Sequence, residues 1–282
     1  MVVETRVPLT NKAIEGKLYS IIEDEECPEE YKEWAKAALD NISIDELDKN
    51  KYLIASKIFG YYQGYPTPEN VRDLVESLLL DEIYDGKNGD AANDLGALYY
   101  DGQIGEQSYE TALEYYKIGA EYGSIFATEN LGYCYYYGRS VEKDYDKAFE
   151  CFSLSALLGS PISTYKIGDM YKNGYHVEKN EIIAFKAYDQ AYNLMNNDKD
   201  KYGDCDADIF VRLSECALKG IGLDKDPYLA LSLAQRAELG FRNRIKNRDY
   251  KYQSSLKWAL ELQEKARDMI QDLTPIIDSL VN

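Results

Sequence analysis

A short pair, leucine or isoleucine followed by a small residue, recurs along the chain and restricts it to one class of architecture. The interval between copies is 36 residues, twice in succession, and then 46 residues. A unit of this length cannot bury its own apolar face, so stacked neighbours must supply the core. The sequence therefore predicts a repeat array. The four copies are Leu95-Gly96, Leu131-Gly132, Ile167-Gly168 and the weakened Leu213-Ser214.

Polar residues that cap helices recur in the same phase. A side-chain oxygen at the N-cap satisfies one unpaired backbone N–H and contributes about 1 kcal/mol. Each repeat is therefore predicted to contain two helices. In the repeat that starts at Asn88, the first helix should end near Tyr100 and the second should run from Ser108 to about Tyr122. The predicted N-caps are Asn88, Ser124, Ser160 and Asp206 for first helices, and Ser108, Asp144, Asn180 and Asp226 for second helices.

Glycine occupies one phase of the predicted first helices, at Gly96, Gly132 and Gly168. A glycine within a helix costs about 1 kcal/mol relative to alanine, so its recurrence requires a packing reason. Each glycine lies beside an apolar face such as that of Leu98 and Tyr99. Close approach of the paired helix is the simplest reason, and it indicates an α-solenoid.

The second copy carries the fullest version of the repeat. Residues 130–138 read NLGYCYYYG, residues 141–150 read VEKDYDKAFE, and residues 156–159 read ALLG. This pattern resembles the Sel-one-like repeat (SLR), a short relative of the tetratricopeptide repeat. The resemblance implies an all-α protein folded as an α-α superhelix, a right-handed solenoid of helix pairs. Ser214 and Met195 depart from the pattern where glycine is expected.

The helical patterns on both sides of the array predict end segments. Terminal units of a solenoid are atypical because one face has no neighbour to cover it. The predicted segments are an N-terminal helical cap at 1–47, a degenerate helical repeat at 48–87, an array of about four repeats at 88–240 with a ten-residue insertion near 196–205, and a C-terminal capping helix at 241–282.

Within the degenerate repeat, residues 52–64 echo a first helix through Ile58, Phe59 and Gly60 and the run Tyr61-Tyr62-Gln63-Gly64. The following helix is predicted to begin after the cap Thr67, with Pro68 as its first residue, where a missing N–H costs nothing. Its predicted buried residues are Val71, Leu74, Val75, Leu78 and Leu79.

Motifs for catalysis, cofactors and metals are absent from the sequence. It contains no Gly-Lys-Ser/Thr loop, no Gly-x-Ser-x-Gly elbow and no dinucleotide fingerprint. Counted from Asp198, the acidic insertion has Gly203 where an EF-hand needs it, but Tyr202 and Ile209 replace required oxygen ligands. The single histidine, His176, has no partner at ligand spacing. We therefore expect no catalytic residue, cofactor or metal, although paired carboxylates are abundant.

Charge and hydropathy exclude two classes of partner. A formal net charge of −18 argues against nucleic acid, whose binding requires a basic footprint. No uncharged apolar stretch approaches the length of a membrane span, the first residues lack an apolar signal core, and the five cysteines show no paired spacing. We therefore expect a cytoplasmic protein that binds no membrane.

One basic run departs from the acidic background. It lies at residues 242–251, and two readings of it are open: a solvated connection near a helix C-terminus, where cations suit the dipole, or a site for phosphate or an acidic partner. Its cations are Arg242, Arg244, Lys246, Arg248 and Lys251.

The resemblance to tetratricopeptide arrays implies that first-helix residues line a concave groove. The second repeat places three of the chain's 27 tyrosines there. Tyrosine is favoured at binding hot spots because it offers a large rigid area with a polar tip, yet a tyrosine-rich chain also shows tyrosine elsewhere. The implied partner-binding residues are Asn93, Tyr100, Asp101, Glu129, Tyr133, Tyr136, Tyr137, Tyr165, Asp169, Lys172 and Asn173.

Three functions follow as hypotheses. The resemblance implies a non-enzymatic adaptor or scaffold that binds a peptide or protein in the groove. The acidity fits an immunity or inhibitor protein that occludes a basic toxin or enzyme surface, so the partner is expected to be basic. A hydrolase, as in cysteine-stapled SLR relatives, is the third, and the absence of cysteine pairs and of a nucleophile motif counts against it.

Overall fold

The computed structural model describes residues 7–57, 67–197, 206–246 and 252–281, with side chains up to residue 273. Every regular element in these residues is a helix. The predicted all-α fold class is therefore confirmed. Contacts divide the chain into two compact units, Met1–Asp144 and Tyr145–Asn282, called unit 1 and unit 2 below.

In unit 1, consecutive helices pack as pairs, and the two first helices α5 and α7 also touch each other. Its elements are α1 (Asn11–Glu23), α2 (Glu29–Asn41), a 3-10 helix (Ile44–Lys49), α3 (Lys51–Ser56), α4 (Glu69–Tyr84), α5 (Gly89–Asp101), α6 (Tyr109–Glu121) and α7 (Ile125–Tyr137). The predicted bounds of the two helices in the first full repeat are therefore confirmed.

Unit 2 continues the pairing of neighbours, as in an α-helical solenoid, and its last helix packs against both α11 and α12. Its elements are α8 (Tyr145–Leu157), α9 (Pro161–Asn173), α10 (Glu181–Asn197), α11 (Asp206–Lys219), α12 (Pro227–Lys246) and α13 (Gln253–Val281).

Side-chain capping follows the predicted phase. Six predicted N-caps accept a hydrogen bond from a backbone N–H two or three residues ahead, and Gly102, Gly138 and Gly174 end first helices with φ of 70°, 72° and 73°. Glycine tolerates this left-handed conformation because it has no Cβ. The six capping residues are Asn88, Ser108, Ser124, Ser160, Asn180 and Asp226.

Two helix starts differ from the prediction. The prediction for α4 was wrong by one residue, because Pro68 is its N-cap and Glu69 is its first residue; the glutamate places negative charge in the first turn, which the helix dipole favours. Asp206 is the first residue of α11 and accepts a hydrogen bond from the backbone N–H of Ala207.

The first-helix glycines are points of close helix contact. A Cβ added at Gly96 would lie 2.7 Å from the ring of Tyr116, and one at Gly168 would lie 2.6 Å from the ring of Tyr188. No ordinary Cβ contact is this short, so an alanine at either position would push the tyrosine aside. The predicted packing role is confirmed at these two glycines, and that of Gly132 stays a prediction.

The N-terminal helices share one core with the first repeat. Residues of α1, α2, α4 and α5 form a continuous cluster, which includes all five apolar residues predicted to be buried in α4. A buried ion pair joins Lys51 to Asp81 at 2.8 Å, and the backbone N–H of Leu9 donates to the same carboxylate at 2.8 Å. Residues 7–57 are therefore tied to α4 by apolar and charged contacts.

Several predicted features lie outside the described residues. They are the second half of the echo that ends at Gly64, the acidic insertion residues Asp198, Asp200 and Asp204, and the cations Arg248 and Lys251. The division at residues 47, 87 and 240 into caps, degenerate repeat and array stays a prediction.

Candidate functional site

Five tyrosines and one arginine form a connected group in unit 1, which we call the tyrosine–arginine cluster. Its members come from the end of α5, the start of α6, the last two turns of α7 and the turn after α7. They are Tyr100, Tyr109, Tyr133, Tyr136, Tyr137 and Arg139.

Helical spacing assembles the three rings of α7. Residues three and four apart share one helix face, so Tyr133 and Tyr137 stack with centroids 6.1 Å apart and planes within 4°. Tyr136 meets Tyr137 edge to face at 4.9 Å. On the neighbouring helices, Tyr100 and Tyr109 lie 4.8 Å apart.

Arg139 links the rings of two first helices. Gly138 ends α7 in the left-handed conformation, and the N–H of Arg139 then donates to the carbonyl of Cys134 at 2.9 Å. The guanidinium lies 4.9 Å from the ring centroid of Tyr100 and 5.2 Å from that of Tyr137. Burial lowers its pKa. Both distances are within the range of a cation–π interaction.

A chain of polar groups connects α5 and α7 in the same unit. The Asn130 amide donates to the Asn93 carbonyl oxygen at 2.9 Å, and the Asn93 amide donates to Asp94 at 3.2 Å. The Tyr52 hydroxyl donates to the second Asp94 oxygen at 3.1 Å. Burial raises the pKa of Asp94 to about 6, although both hydrogen bonds oppose the rise.

In unit 2, a buried ion pair joins the first helices α9 and α11. Nε and Nη2 of Arg212 donate to the two oxygens of Asp169 at 2.7 and 2.6 Å, and the Tyr188 hydroxyl donates to the same carboxylate at 3.0 Å. The guanidinium stacks 4.3 Å from the ring of Tyr165. Burial acts to raise the pKa of Asp169, but the attraction of Arg212 and Lys166 outweighs burial and holds it below its usual value.

The C-terminal helix α13 contacts the same faces of α9 and α11. The Trp258 ring lies 5.2 Å from Nζ of Lys172 and 5.8 Å from the Arg212 guanidinium. Lys172 also forms a short ion pair with Glu215, which binds Lys219 at 2.5 Å. First-helix positions of the third and fourth repeats are therefore engaged by side chains of their own unit.

The predicted partner-binding residues differ in their contacts and in their exposure. Four of them, Tyr100, Tyr133, Tyr136 and Tyr137, meet in the cluster, whereas Tyr165, Asp169 and Lys172 take part in the contacts of Arg212 and Glu215. Asn93, Glu129 and Tyr165 are buried; Tyr100, Tyr133, Tyr136, Asp169 and Lys172 are half-buried; Asp101, Tyr137 and Asn173 are exposed.

Sequence reasoning missed Arg139, Arg212 and Trp258. Arg139 directly follows the glycine that ends the repeat segment 130–138, so its place beside Tyr137 could have been found. The other two have no signal in the repeat pattern, because Arg212 meets a carboxylate 43 residues away and Trp258 comes from the end segment.

The described cations of the basic run are engaged by acidic groups in two cases. Arg244 binds Asp208 at 2.6 Å and lies 4.5 Å from the ring of Tyr252, and Arg242 binds Glu238 at 2.7 Å. Because Arg242, Arg244 and Lys246 lie in the last turns of α12, where cations suit the helix dipole, these contacts favour the first reading over a site for phosphate or an acidic partner.

Two thiols of the described residues are deactivated by burial. Burial raises the pKa of the Cys151 thiol to about 11 and that of Cys216 to about 12, and a thiol with so high a pKa is a poor nucleophile at neutral pH. Among the described residues, no three His, Cys, Asp or Glu side chains are grouped to hold a metal ion. His176 pairs with Asp146 at 2.7 Å.

A family model of the Sel1 repeat matches four segments, 89–124, 125–160, 161–194 and 211–238. The protein contains four Sel1 repeats. The first three matches begin at the first residues of α5, α7 and α9, directly after a capping side chain. The fourth Sel1 repeat is matched only from within α11, in agreement with its weakened motif.

Solved structures show the same fold. A Sel1 repeat protein from Oxalobacter formigenes is 20% identical, with a TM-score of 0.55, over 78% of this chain and 82% of its own. A protective antigen of uropathogenic Escherichia coli strains, which displays an SLR fold, is 20% identical, with a TM-score of 0.54, over 84% of this chain and 48% of its own. This chain thus spans about half of that antigen. A search of curated proteins found no match.

None of the helices within the described ranges is both long enough and apolar enough to cross a lipid bilayer.

Proposed function

We propose that this Sel1-repeat protein is a non-enzymatic adaptor that binds a protein or peptide partner through the first-helix face of unit 1. The Sel1 repeat family suggests a protein–protein interaction scaffold. The partner site is centred on the tyrosine–arginine cluster, with Asp101 at its edge. The free state of four cysteines, Cys27, Cys134, Cys151 and Cys216, supports a reducing compartment, and we propose the cytoplasm.

The observation that carries this proposal is the concentration of accessible tyrosine on α5 and α7. The Tyr137 side chain is 47% exposed, and three further rings of the cluster are half-buried. Large exposed aromatic groups are costly in water and typical of binding hot spots. In unit 2 the corresponding faces are occupied by Arg212 and Trp258, so unit 1 is the better candidate for a partner.

The test is quantitative capture of a partner by matched variants. Tyr137→Ala should reduce capture at least about tenfold, because removal of a hot-spot tyrosine costs about 2 kcal/mol or more. Tyr228→Ala is the control, since Tyr228 is 54% exposed in unit 2. Equal capture by both variants, with unchanged melting, would reject the site.

A second candidate is an acidic inhibitor that covers a basic surface of a toxin or enzyme. The observation that favours it is the uneven charge: residues 1–144 contain 29 acidic and 13 basic side chains, a net charge of −16, whereas residues 145–282 have a net charge of −2. Association with the captured partner should then slow markedly between about 50 and about 500 mM salt, because screening shortens electrostatic attraction. A constant association rate would remove this candidate.

A further inference from the structure

We propose that the tyrosine–arginine cluster binds arginine side chains of a basic, arginine-rich segment in a protein partner, and that Arg139 occupies one of these positions in the free protein. The inference rests on the proposed function, because it assigns a chemistry to the partner of unit 1. The occupant is a peptide segment that carries several guanidinium groups on an extended or helical backbone.

The first argument is the way in which Arg139 is held. Arg212 and Arg244 also lie over aromatic rings, but each pairs with an aspartate, Asp169 or Asp208. Within the described parts of the chain, Arg139 forms no ion pair with a carboxylate, although it lies over two tyrosine rings. The cluster therefore holds a guanidinium through the faces of two rings.

The second argument is charge complementarity. The cluster belongs to the unit with a net charge of −16. Exposed carboxylates stand next to its members in the chain: Asp101 follows Tyr100, Glu110 follows Tyr109, and Glu142 lies in the turn after Arg139. A negatively charged unit attracts a basic partner from a distance.

The third argument selects arginine over lysine. A guanidinium is planar and weakly hydrated, so it stacks on a tyrosine ring and loses little solvation, whereas an ammonium group is a compact and strongly hydrated charge. Arg139 itself lies over two of the five rings. Tyr137 is 47% exposed and Tyr109 is 38% exposed, so the guanidinium groups of a partner segment can reach ring surface of the cluster.

The experiment compares two labelled peptides, nine arginines and nine lysines, by fluorescence anisotropy with the full chain near physiological salt. The arginine peptide should bind about fivefold more tightly, because both peptides have the same charge and only arginine stacks well. Tyr137→Leu should bring the ratio close to one, and Tyr137→Phe, which keeps a ring face, should restore it. Tyr228→Leu in unit 2 is the control and should leave the ratio unchanged.

A second variant tests the role of Arg139. Loss of a positive charge alone would strengthen the binding of both peptides equally and leave the ratio of their affinities unchanged. If Arg139 vacates a guanidinium position, Arg139→Gln should raise the ratio of arginine-peptide to lysine-peptide affinity about twofold or more. This substitution leaves the glycine turn and the backbone contact to Cys134 in place. It therefore decides the matter even if Tyr137→Leu melts early.

The outcomes separate this inference from the proposed function. A ratio near one for the wild-type chain, a ratio unaffected by Tyr137→Leu, or an unchanged ratio in Arg139→Gln would each overturn the arginine assignment. If the natural partner is still lost with Tyr137→Ala, the adaptor function stands without it. If the ratio of peptide affinities changes as expected but Tyr137→Ala captures the natural partner as well as wild type does, the proposed partner site is wrong instead.

Discussion

Asp94 in unit 1 and Asp169 in unit 2 are both carboxylates on first helices with little exposure, yet their pKa values move in opposite directions. Asp94 accepts hydrogen bonds from the neutral groups of Asn93 and Tyr52, so burial prevails and its pKa rises to about 6. Asp169 faces the fork of Arg212, and its pKa falls. The difference shows that this buried first-helix carboxylate has an internal cation in unit 2 and neutral hydrogen-bond donors in unit 1.

The two units also differ in net charge. Basic side chains nearly balance acidic ones in residues 145–282, and several of them form ion pairs within the unit, whereas residues 1–144 carry almost the whole net charge of the chain. The repeat position of Lys172, which contacts Glu215 and Trp258, is held by Tyr100 and Tyr136 in unit 1. Identical positions thus serve internal packing in unit 2 and are available for recognition in our proposal for unit 1.

The largest expected loss of stability comes from breaking the buried ion pair of unit 2. Arg212→Met should lower the free energy of unfolding by about 3–5 kcal/mol, because it leaves the Asp169 carboxylate buried without its cation. Hydrogen exchange should accelerate in α9 and α11, since contacts in a repeat array are made between neighbours. Arg242→Met, which breaks an exposed pair with Glu238, should cost about 0.5 kcal/mol or less.

The pair itself can be tested by removal of both charges. The double variant Asp169→Leu with Arg212→Met should recover most of the lost stability, because apolar groups replace the ion pair without an isolated charge. If the double variant is as unstable as Arg212→Met, the loss arises from packing rather than from charge.

The next effect concerns the glycine contacts, which both units share. Gly96→Ala and Gly168→Ala should each destabilise the protein by about 1–3 kcal/mol in chemical denaturation, because the new Cβ overlaps Tyr116 or Tyr188. Gly16→Ala in α1 is the matched control. Nothing lies within 4 Å of a Cβ at Gly16, so this change should stabilise by up to about 1 kcal/mol. Similar results at all three positions would refute the contact argument.

A smaller effect is the pH dependence of stability, which should differ between Asp94 and Asp169. The pKa of Asp94 rises from 3.8 to about 6 on folding, so the folded state binds more protons in this range and stability should fall as pH increases from about 4 to about 6. Asp94→Asn should remove this fall and stabilise the protein at pH 7 by about 1–2 kcal/mol, since asparagine keeps one acceptor oxygen and has no charge to bury.

Asp169 should show the opposite sign. Its folded pKa is below the ordinary value of 3.8, so its contribution is complete above that pH and is lost as pH falls through the lowered value. Denaturation curves of wild type and Asp94→Asn between about pH 3 and about pH 8 measure both trends. A fall between pH 4 and 6 that persists in Asp94→Asn would assign it to another group.

The smallest expected change in stability is at Tyr137. Tyr137→Ala should lower the free energy of unfolding by about 1 kcal/mol or less, because the ring contacts Tyr133 and Tyr136 but the side chain is about half exposed. Its effect on partner binding should nevertheless be about tenfold or more. If Tyr137→Ala lowers the melting temperature as much as Gly96→Ala does, Tyr137 is a core residue and the contrast between the two units is weaker.

The elements that could be predicted from sequence are those that repeat. Capping serines such as Ser124 and the contact glycine Gly96 satisfy local backbone or packing needs that recur at a fixed interval. Their physical cause lies within one repeat, so one repeat is enough to infer it. These repeated positions are enough to predict the all-α fold class.

The site was predicted less completely, because its chemistry depends on pairs from different segments. Nothing in the phase of Asp169 indicates that Arg212 will meet it, since the insertion before α11 changes the interval between the two. Trp258 belongs to a helix outside the repeat pattern. A groove position inferred by resemblance can therefore be occupied by the chain itself, and only the contacts reveal it.

Ser124 has one more consequence. Its hydroxyl accepts from the N–H of Ala127 at 3.2 Å and donates to Asp90 at 2.6 Å, while its carbonyl accepts from Thr128. One residue thus joins the beginning of one repeat to the beginning of the next. Duplication of residues 88–123 would offer Ser124 the same aspartate in the second copy, so the chain could be lengthened by a whole module. A change in length that moves Ser124 away from Asp90 would break this bond, whereas the interval of 46 residues before Leu213 shows that the array accepts an insertion at another repeat boundary.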